Sequence, residues 1–222
     1  MNATTPPRLR AAAAGRRPDR RRERTRGALL EAGRVLLASR NVDSLSVDEI
    51  VAAADVAKGS FYNHFADKDV FAREIGAAVR RQAEEAVSRA NAGVADGAAR
   101  VARALCVFIR FAIEHRDSAQ LLWRLNSGVT IADAPVNRGL RDEVLRAHRQ
   151  QAFGGLDVDT SVLTIMGTVV ICMRHVLEDR AVSPPQRIGA QMATGMLRAL
   201  GVPARRAAAV AARAAAELLG PS

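Results

Sequence analysis

Residues 46–68, SVDEIVAAADVAKGSFYNHFADK, constrain this chain more than any other stretch. Ser46 precedes an apolar run and Glu49 follows three residues later, the reciprocal pair in which each side chain satisfies a free backbone N–H at a helix start. That predicts a first short helix over 47–53, with Val47, Ile50 and Val51 on its inward face. Ala54, Asp55 and Val56 interrupt the pattern. A second helix is expected over 58–65, where Phe61 and Phe65 stand four apart and share one buried face. Lys58, Ser60, Tyr62, Asn63 and His64 are left pointing outward, a dense set of hydrogen-bonding groups that folding does not require. Two short helices with such an outer face have the composition of a helix-turn-helix that reads the DNA major groove.

The charge balance agrees. The chain has 222 residues, a formal charge of +10 and a pI near 11.2, which favours an anionic partner. Nucleic acid comes ahead of a membrane surface, because no apolar run in the sequence approaches the roughly 20 residues that a span needs. The start, MNATTPPRLR, lacks the apolar core of a secretion signal, so a cytoplasmic protein is expected. Almost all cations are Arg. The only two lysines, Lys58 and Lys68, both fall in the segment above.

KGSFYNHFADKD resembles the signature of the TetR family of bacterial transcriptional regulators, whose helix-turn-helix commonly reads VSKGTFYNHFxSKE, and the resemblance runs from about Arg24 to Ile75. It implies an all-α fold: an N-terminal three-helix DNA-binding domain, and a C-terminal helical bundle for ligand binding and dimerisation. It also implies a repressor that binds a palindromic operator as a homodimer and is released by a small-molecule effector. Carried over residue by residue, Ser46, Tyr62, His64 and Lys68 would hold phosphates, while Lys58, Gly59, Ser60 and Asn63 would approach base edges. Three departures bear on stability. Asp55 stands where the family has Gly in the turn, Ala57 replaces a capping Ser or Thr, and Asn41 replaces a helix-ending Gly.

In chain order, residues 1–18 form a Pro-, Ala- and Arg-rich arm, read as a flexible tail or as a basic arm adding phosphate or minor-groove contacts. The DNA-binding domain spans 19–66. Its first helix, over 19–39, carries Leu29, Ala32, Gly33 and Leu36 at helical spacing, and its first turns hold Arg20, Arg21, Arg22, Arg24 and Arg26. Cations there oppose the helix dipole, a placement that makes sense as DNA-backbone contact. A linker helix covers 67–91, with Phe71, Ile75, Ala78 and Val79 on one side. The two glycines in 92–97 mark the expected break before the regulatory domain, 92–222. There, helices are predicted over 98–114, 120–125, 136–153 (ended by Gly154 and Gly155), 160–180, 184–200 and 203–219, the last two opened by prolines. The 160–180 helix is apolar nearly all round and must be covered on every side. A homodimer through 160–180 and 184–200 supplies that cover, and Gly167 allows a close approach.

For an effector pocket, which the resemblance implies, the candidates are Phe108, Phe111, His115, Trp123, Asn126, Met166, Thr168 and Met173. Ordinary core explains Phe108 and Met166 as well, Trp123 is core or pocket wall, and His115 can interact with a helix dipole. Few charges look buried, which points to an apolar or aromatic effector. No catalytic triad, phosphate loop, paired-carboxylate motif or cofactor signature appears, so no enzyme is expected. Cys172 and His175 share a helix face without further metal ligands, and Cys106 and Cys172 read as buried thiols. The competing class is an α-helical ligand-binding or interaction protein with a vestigial helix-turn-helix. Salt-steep, sequence-dependent DNA affinity separates the two.

Overall fold

The structure is a computed structural model that describes residues 16–126, 137–178 and 184–220; the side chains of 16–19, Leu125 and Asn126 lie outside the description. The arm before residue 16 and the side chain of the effector candidate Asn126 therefore fall outside it. Every regular element among the described residues is helical. The chain divides into two compact units, 1–75 and 76–222. The division falls inside the helix Lys68–Ala90 and not at the glycines of 92–97.

In the first unit, α1 (Arg16–Ser39) is followed by a 3-10 turn (Val42–Ser44), α2 (Val47–Ala53), α3 (Lys58–Tyr62) and the start of α4 (Lys68–Ala90). The α1 stripe is rotated from its expected position. Leu29, Gly33 and Leu37 face inward and Leu36 is only half-buried. The reason lies in Gly33: a side chain there would run into Phe71 and Ile75, so the helix uses its smallest residue to seat α4. The core is aromatic. Phe61, Phe65 and Phe71 are all buried, with ring centroids 5.5, 5.3 and 4.9 Å apart pairwise, edge-on or tilted.

Three helices end in the same six-residue device, at Asp55, Gln151 and Gly201, in which a left-handed residue lets two successive N–H groups close back on the last turn. At α2, Asp55 N donates to Ala52 O and Val56 N to Val51 O, with Asp55 at φ 51°. Asp thus occupies the left-handed site where the family pattern has Gly. Asn41 is extended, at φ −76°, so its substitution for Gly carries no backbone strain. At α7 (Arg138–Arg149) the device uses Gln151, φ 54°, with Ala152 N on Ala147 O. That ends α7 before the expected stop at Gly154 and Gly155. Those glycines instead let the backbone pass the end of α9 (Pro185–Ala199), where the N–H groups of both donate to Leu200 O.

In the second unit, α5 (Gly97–Glu114) is the central helix, burying Val101, Leu105, Cys106, Ile109 and Ala112. Around it pack α6 (Arg116–Asn126), α7, α8 (Val158–Leu177), α9 and α10 (Ala204–Leu219). Asp96 caps α5 and Asp157 caps α8, each side chain accepting a backbone N–H in the first turn. Pro185 opens α9 and Pro203 sits at the N-cap of α10, as their positions in sequence predict. One charged pair is largely enclosed: Arg100 makes a two-pronged contact with Glu143 at 2.6 and 2.9 Å and also donates to the carbonyls of Asn91 and Val94. It ties the turn that follows α4 to α5 and α7.

The expectation that no segment is long and apolar enough to span a membrane is overturned: α8 meets both criteria, with a mean hydropathy of 1.6. Ser, Thr and Gly dilute the run in the sequence without adding charge. Only 39% of that apolar window is buried within the chain, and Leu163 and Ile171 are 44% and 57% exposed.

Candidate nucleic-acid interface

The helix-turn-helix is built from its caps outward. Ser46 Oγ accepts the Glu49 N–H at 3.1 Å, and Glu49 Oε2 accepts from Ser46 N and Oγ, both at 2.8 Å. Hydrogen bonding from Arg40 first, then from the Ser46 N–H and hydroxyl, holds the Glu49 carboxyl down to about 2. Because that value lies below the ordinary one, the cap is intact at neutral pH and is released as pH falls toward the folded value. The Ser46 hydroxyl is thus committed within its own cap.

α3 is shorter than the sequence suggested, ending at Tyr62 with Asn63 as its C-cap. His64 N and Phe65 N still close onto Phe61 O, so the chain continues as a turn and Phe65 reaches the core. Three of the five residues expected to point outward, Lys58, Tyr62 and Asn63, are exposed. Tyr62 is 57% exposed, Lys58, Gly59 and Asn63 are exposed, and Ser60 and His64 are half-buried. A Cβ on Gly59 would meet nothing within 4 Å, so its bare backbone keeps the surface low where a duplex edge would lie. The Tyr62 and Phe61 rings meet edge-on at 5.4 Å, and more than half of Tyr62 remains exposed.

The two lysines differ. Lys58 pairs with Asp48 at 2.8 Å, both well exposed, a contact that a phosphate or base can displace. Lys68 is half-buried and donates to the carbonyls of Leu45 at 2.6 Å and Val42 at 3.4 Å, clamping the 3-10 turn to α4. Its third ammonium donor stays available for an anion.

His64 is held below its ordinary value, by burial first and then by the charges of Arg22 and Arg26. Arg22 Nη2 lies 3.5 Å from Asn63 O, and Arg26 pairs with Glu74 and sits over the Phe65 ring at 5.4 Å. The sequence marks these arginines as backbone contacts on α1, but nothing in it places them beside α3. The uncapped start of α3 carries a prediction. Ala57 offers no side-chain cap, so Ala57→Ser is expected to stabilise the first unit by about 1 kcal/mol, read as a higher unfolding midpoint. An unchanged midpoint would mean that the α3 start gains nothing from a cap.

The effector candidates do not converge on one cavity among the described residues. Phe111 and Met173 are buried core, and Phe108, Trp123, Met166 and Thr168 are half-buried. Exposed His115 tilts against Phe111 at 5.1 Å, and Arg174 lies over Trp123 at 5.4 Å. Thr168 Oγ1 bonds back to Thr164 O within its own helix. Cys106 and Cys172 are free and buried, and burial pushes their thiols up to about 12 and about 11, so both are protonated at neutral pH.

An aromatic core packed behind one short helix, with that helix's polar side chains turned to solvent, has the build of a helix-turn-helix. Residues 29–75 match the family model of the bacterial regulatory proteins of the tetR family. Among solved structures, a gamma-butyrolactone receptor described as an ArpA-like protein is 26% identical, with 89% of this chain and 99% of that one aligned and a TM-score of 0.65. CprB from S. coelicolor A3(2), a TetR family protein, is 25% identical over 89% of this chain and 99% of its own, with a TM-score of 0.62. RolR in complex with resorcinol shares the fold at 22% identity, 88% and 96% coverage and a TM-score of 0.58. Residues 29–75 are thus similar to the N-terminal domain of the tetR regulators, and the chain shares its helical fold with the ArpA-like and CprB structures.

Proposed function

We propose that this protein is a homodimeric repressor that binds a palindromic operator in the cytoplasm and releases it when a small molecule binds the C-terminal unit. The observation that carries the reading is the outer face of α3, where Lys58, Gly59, Tyr62 and Asn63 are exposed behind a buried Phe61. Lys58, Gly59, Ser60 and Asn63 approach base edges and Tyr62, His64 and Lys68 hold phosphates, whereas Ser46, whose N–H and hydroxyl both go to Glu49, serves the cap of α2 in place of the phosphate contact expected of it. Phosphate contacts set register and affinity, and base contacts set sequence. A dimer presents two such helices to successive major grooves, about 34 Å apart.

The exposed apolar residues of α8, Leu163 and Ile171, support a dimer through α8 and α9. Gly167 on α8 and Gly195 on α9 are exposed and leave open space where a side chain would stand, which suits close helix crossing. Replacing both Leu163 and Ile171 with Glu is expected to yield a monomer by sedimentation; a persistent dimer would move the interface elsewhere.

An uncharged, apolar or aromatic effector fits the apolar interior of the C-terminal unit, and the similar structures include a resorcinol complex and gamma-butyrolactone receptors. The effector acts by preferring the state in which the two recognition helices are out of register, by about 1–3 kcal/mol for ordinary coupling.

The test uses a duplex enriched from a random-sequence pool by the purified protein. Asn63→Ala and Lys58→Met should narrow the ratio between this duplex and a scrambled one, while Tyr62→Phe should weaken both alike. Equal, unaltered binding by all three variants would sink the assignment. His64 adds a pH signature. Its folded value lies below the unfolded 6.5, so the unfolded chain takes up the proton first and stability falls as pH drops through that window. A phosphate favours the charged ring, so DNA affinity should rise from pH 7.5 to 6, and His64→Gln should flatten that rise.

A further inference from the structure

α1 begins at Arg16, whereas the family match begins at residue 29, so 29 − 16 = 13 residues of helix precede it. Among its described side chains are five arginines, Arg20, Arg21, Arg22, Arg24 and Arg26. From Arg26 onward, the arginines along and just after α1 are neutralised: Arg26 by Glu74, Arg34 by Glu31 and Arg40 by Glu49. The four before Arg26, which are Arg20, Arg21, Arg22 and Arg24, have no ion-pair partner among the described residues. They also sit toward the positive end of the helix dipole, where cations are unfavourable unless an external anion is present.

The faces are not equivalent. Arg22 and Arg26 continue the inward Leu29–Gly33–Leu37 stripe, seven and three residues before Leu29, so they lie on the side of α1 that meets the other helices. Arg20 and Arg24 lie on the opposite face, two residues either side of Arg22; all three are exposed, and the face alone separates them. Arg22 also reaches the C-cap of α3, with Nη2 3.5 Å from Asn63 O, next to Asn63 and His64 of the outward set. That single long contact leaves the rest of its fork of donors free.

We infer that Arg22 is a DNA-backbone contact supplied by the α1 extension, gripping a phosphate that flanks the half-site beside the C-terminal end of α3. The inference rests on the DNA-reading assignment of α3 and extends its footprint beyond the part of the chain that the family match covers. Arg22 brings a planar guanidinium to a phosphate that His64 alone would hold weakly, and the contact carries no base information. Arg24, on the far face, contributes only to the general field.

The experiment compares the full-length wild type, Arg22→Gln, Arg24→Gln and Arg22→Lys on the enriched duplex and a scrambled one of equal length, across about 50 to 200 mM salt. Arg22→Gln is expected to lose about 5- to 10-fold affinity on both duplexes, and the log–log salt slope should fall by roughly 0.9 per contact, about 2 for a dimer. Arg22→Lys should keep most of the slope, and Arg24→Gln should stay within about 2-fold of wild type, since it forfeits charge without a contact. Equal effects of Arg22→Gln and Arg24→Gln, or no effect of either, would overturn the inference while operator preference in the wild type leaves the reading of α3 standing. Loss of that preference in the wild type itself would remove both. Thermal unfolding of Arg22→Gln should match wild type, and a lowered midpoint would assign Arg22 a structural role instead.

Discussion

Phe61→Ala should lower the stability of the N-terminal unit by about 3–5 kcal/mol, the range for emptying a fully buried aromatic site. Phe61 is 0% exposed and touches Phe65 and Phe71 at ring-centroid distances of 5.5 and 5.3 Å, so the cavity opens at the centre of a three-ring cluster. The same ring backs Tyr62, edge-on at 5.4 Å. Its removal frees α3, and α3 has only five residues and no side-chain cap with which to hold itself. The expected result is a denaturant midpoint far below wild type for the N-terminal unit, with sequence-specific DNA binding lost. Native-like affinity in this variant would show that the phenylalanine cluster does not position the reading helix.

Gly201→Ala should destabilise the C-terminal unit by about 2–5 kcal/mol, combining left-handed strain with overpacking. Gly201 has φ 90°, and an added Cβ would fall on the backbone nitrogen of Gly155 and against Gly154. The atoms it meets are backbone, so no side chain can swing aside. The same backbone groups carry the Gly154 and Gly155 hydrogen bonds to Leu200 O, so the α9–α10 corner and the segment before α8 would part together. Gly139→Ala is the matched control: it is helical, exposed and has nothing within 4 Å, so it should be neutral or stabilising by about 0.5 kcal/mol. A thermal midpoint for Gly201→Ala equal to that of the control would contradict this account of the corner.

The parts of the fold legible in the sequence are those set by short-range chemistry. Ser46 and Glu49 mark the start of α2 because a capping box is complete within four residues. Pro185 and Pro203 mark α9 and α10 because proline's fixed φ and missing N–H suit a helix start. Phe61 and Phe65 announce their shared face by spacing alone. What failed depends on partners distant in sequence. Leu36 and Leu37 are equally apolar, and only the contact of Gly33 with Phe71 and Ile75 decides which faces inward. Gln151 ends α7 in a conformation that glutamine does not advertise, while Gly154 and Gly155 serve a neighbour some 45 residues away. The candidate interface was legible in its types but not in its bonding. Lys68 is clamped to Leu45 O, the Ser46 hydroxyl is spent on Glu49, and Arg22 lies beside Asn63 although 41 residues separate them.

The most direct measurement is enrichment of a random-sequence duplex pool on the purified protein, followed by anisotropy of the selected and scrambled duplexes across about 50 to 200 mM salt. The account predicts an inverted repeat with half-sites about one helical turn or a multiple apart, bound tightly at the higher salt while the scrambled duplex is released. A pool that yields no common sequence, with both duplexes bound equally and lost together as salt rises, would contradict it. The outer face of α3 would then be a basic surface without a reading function.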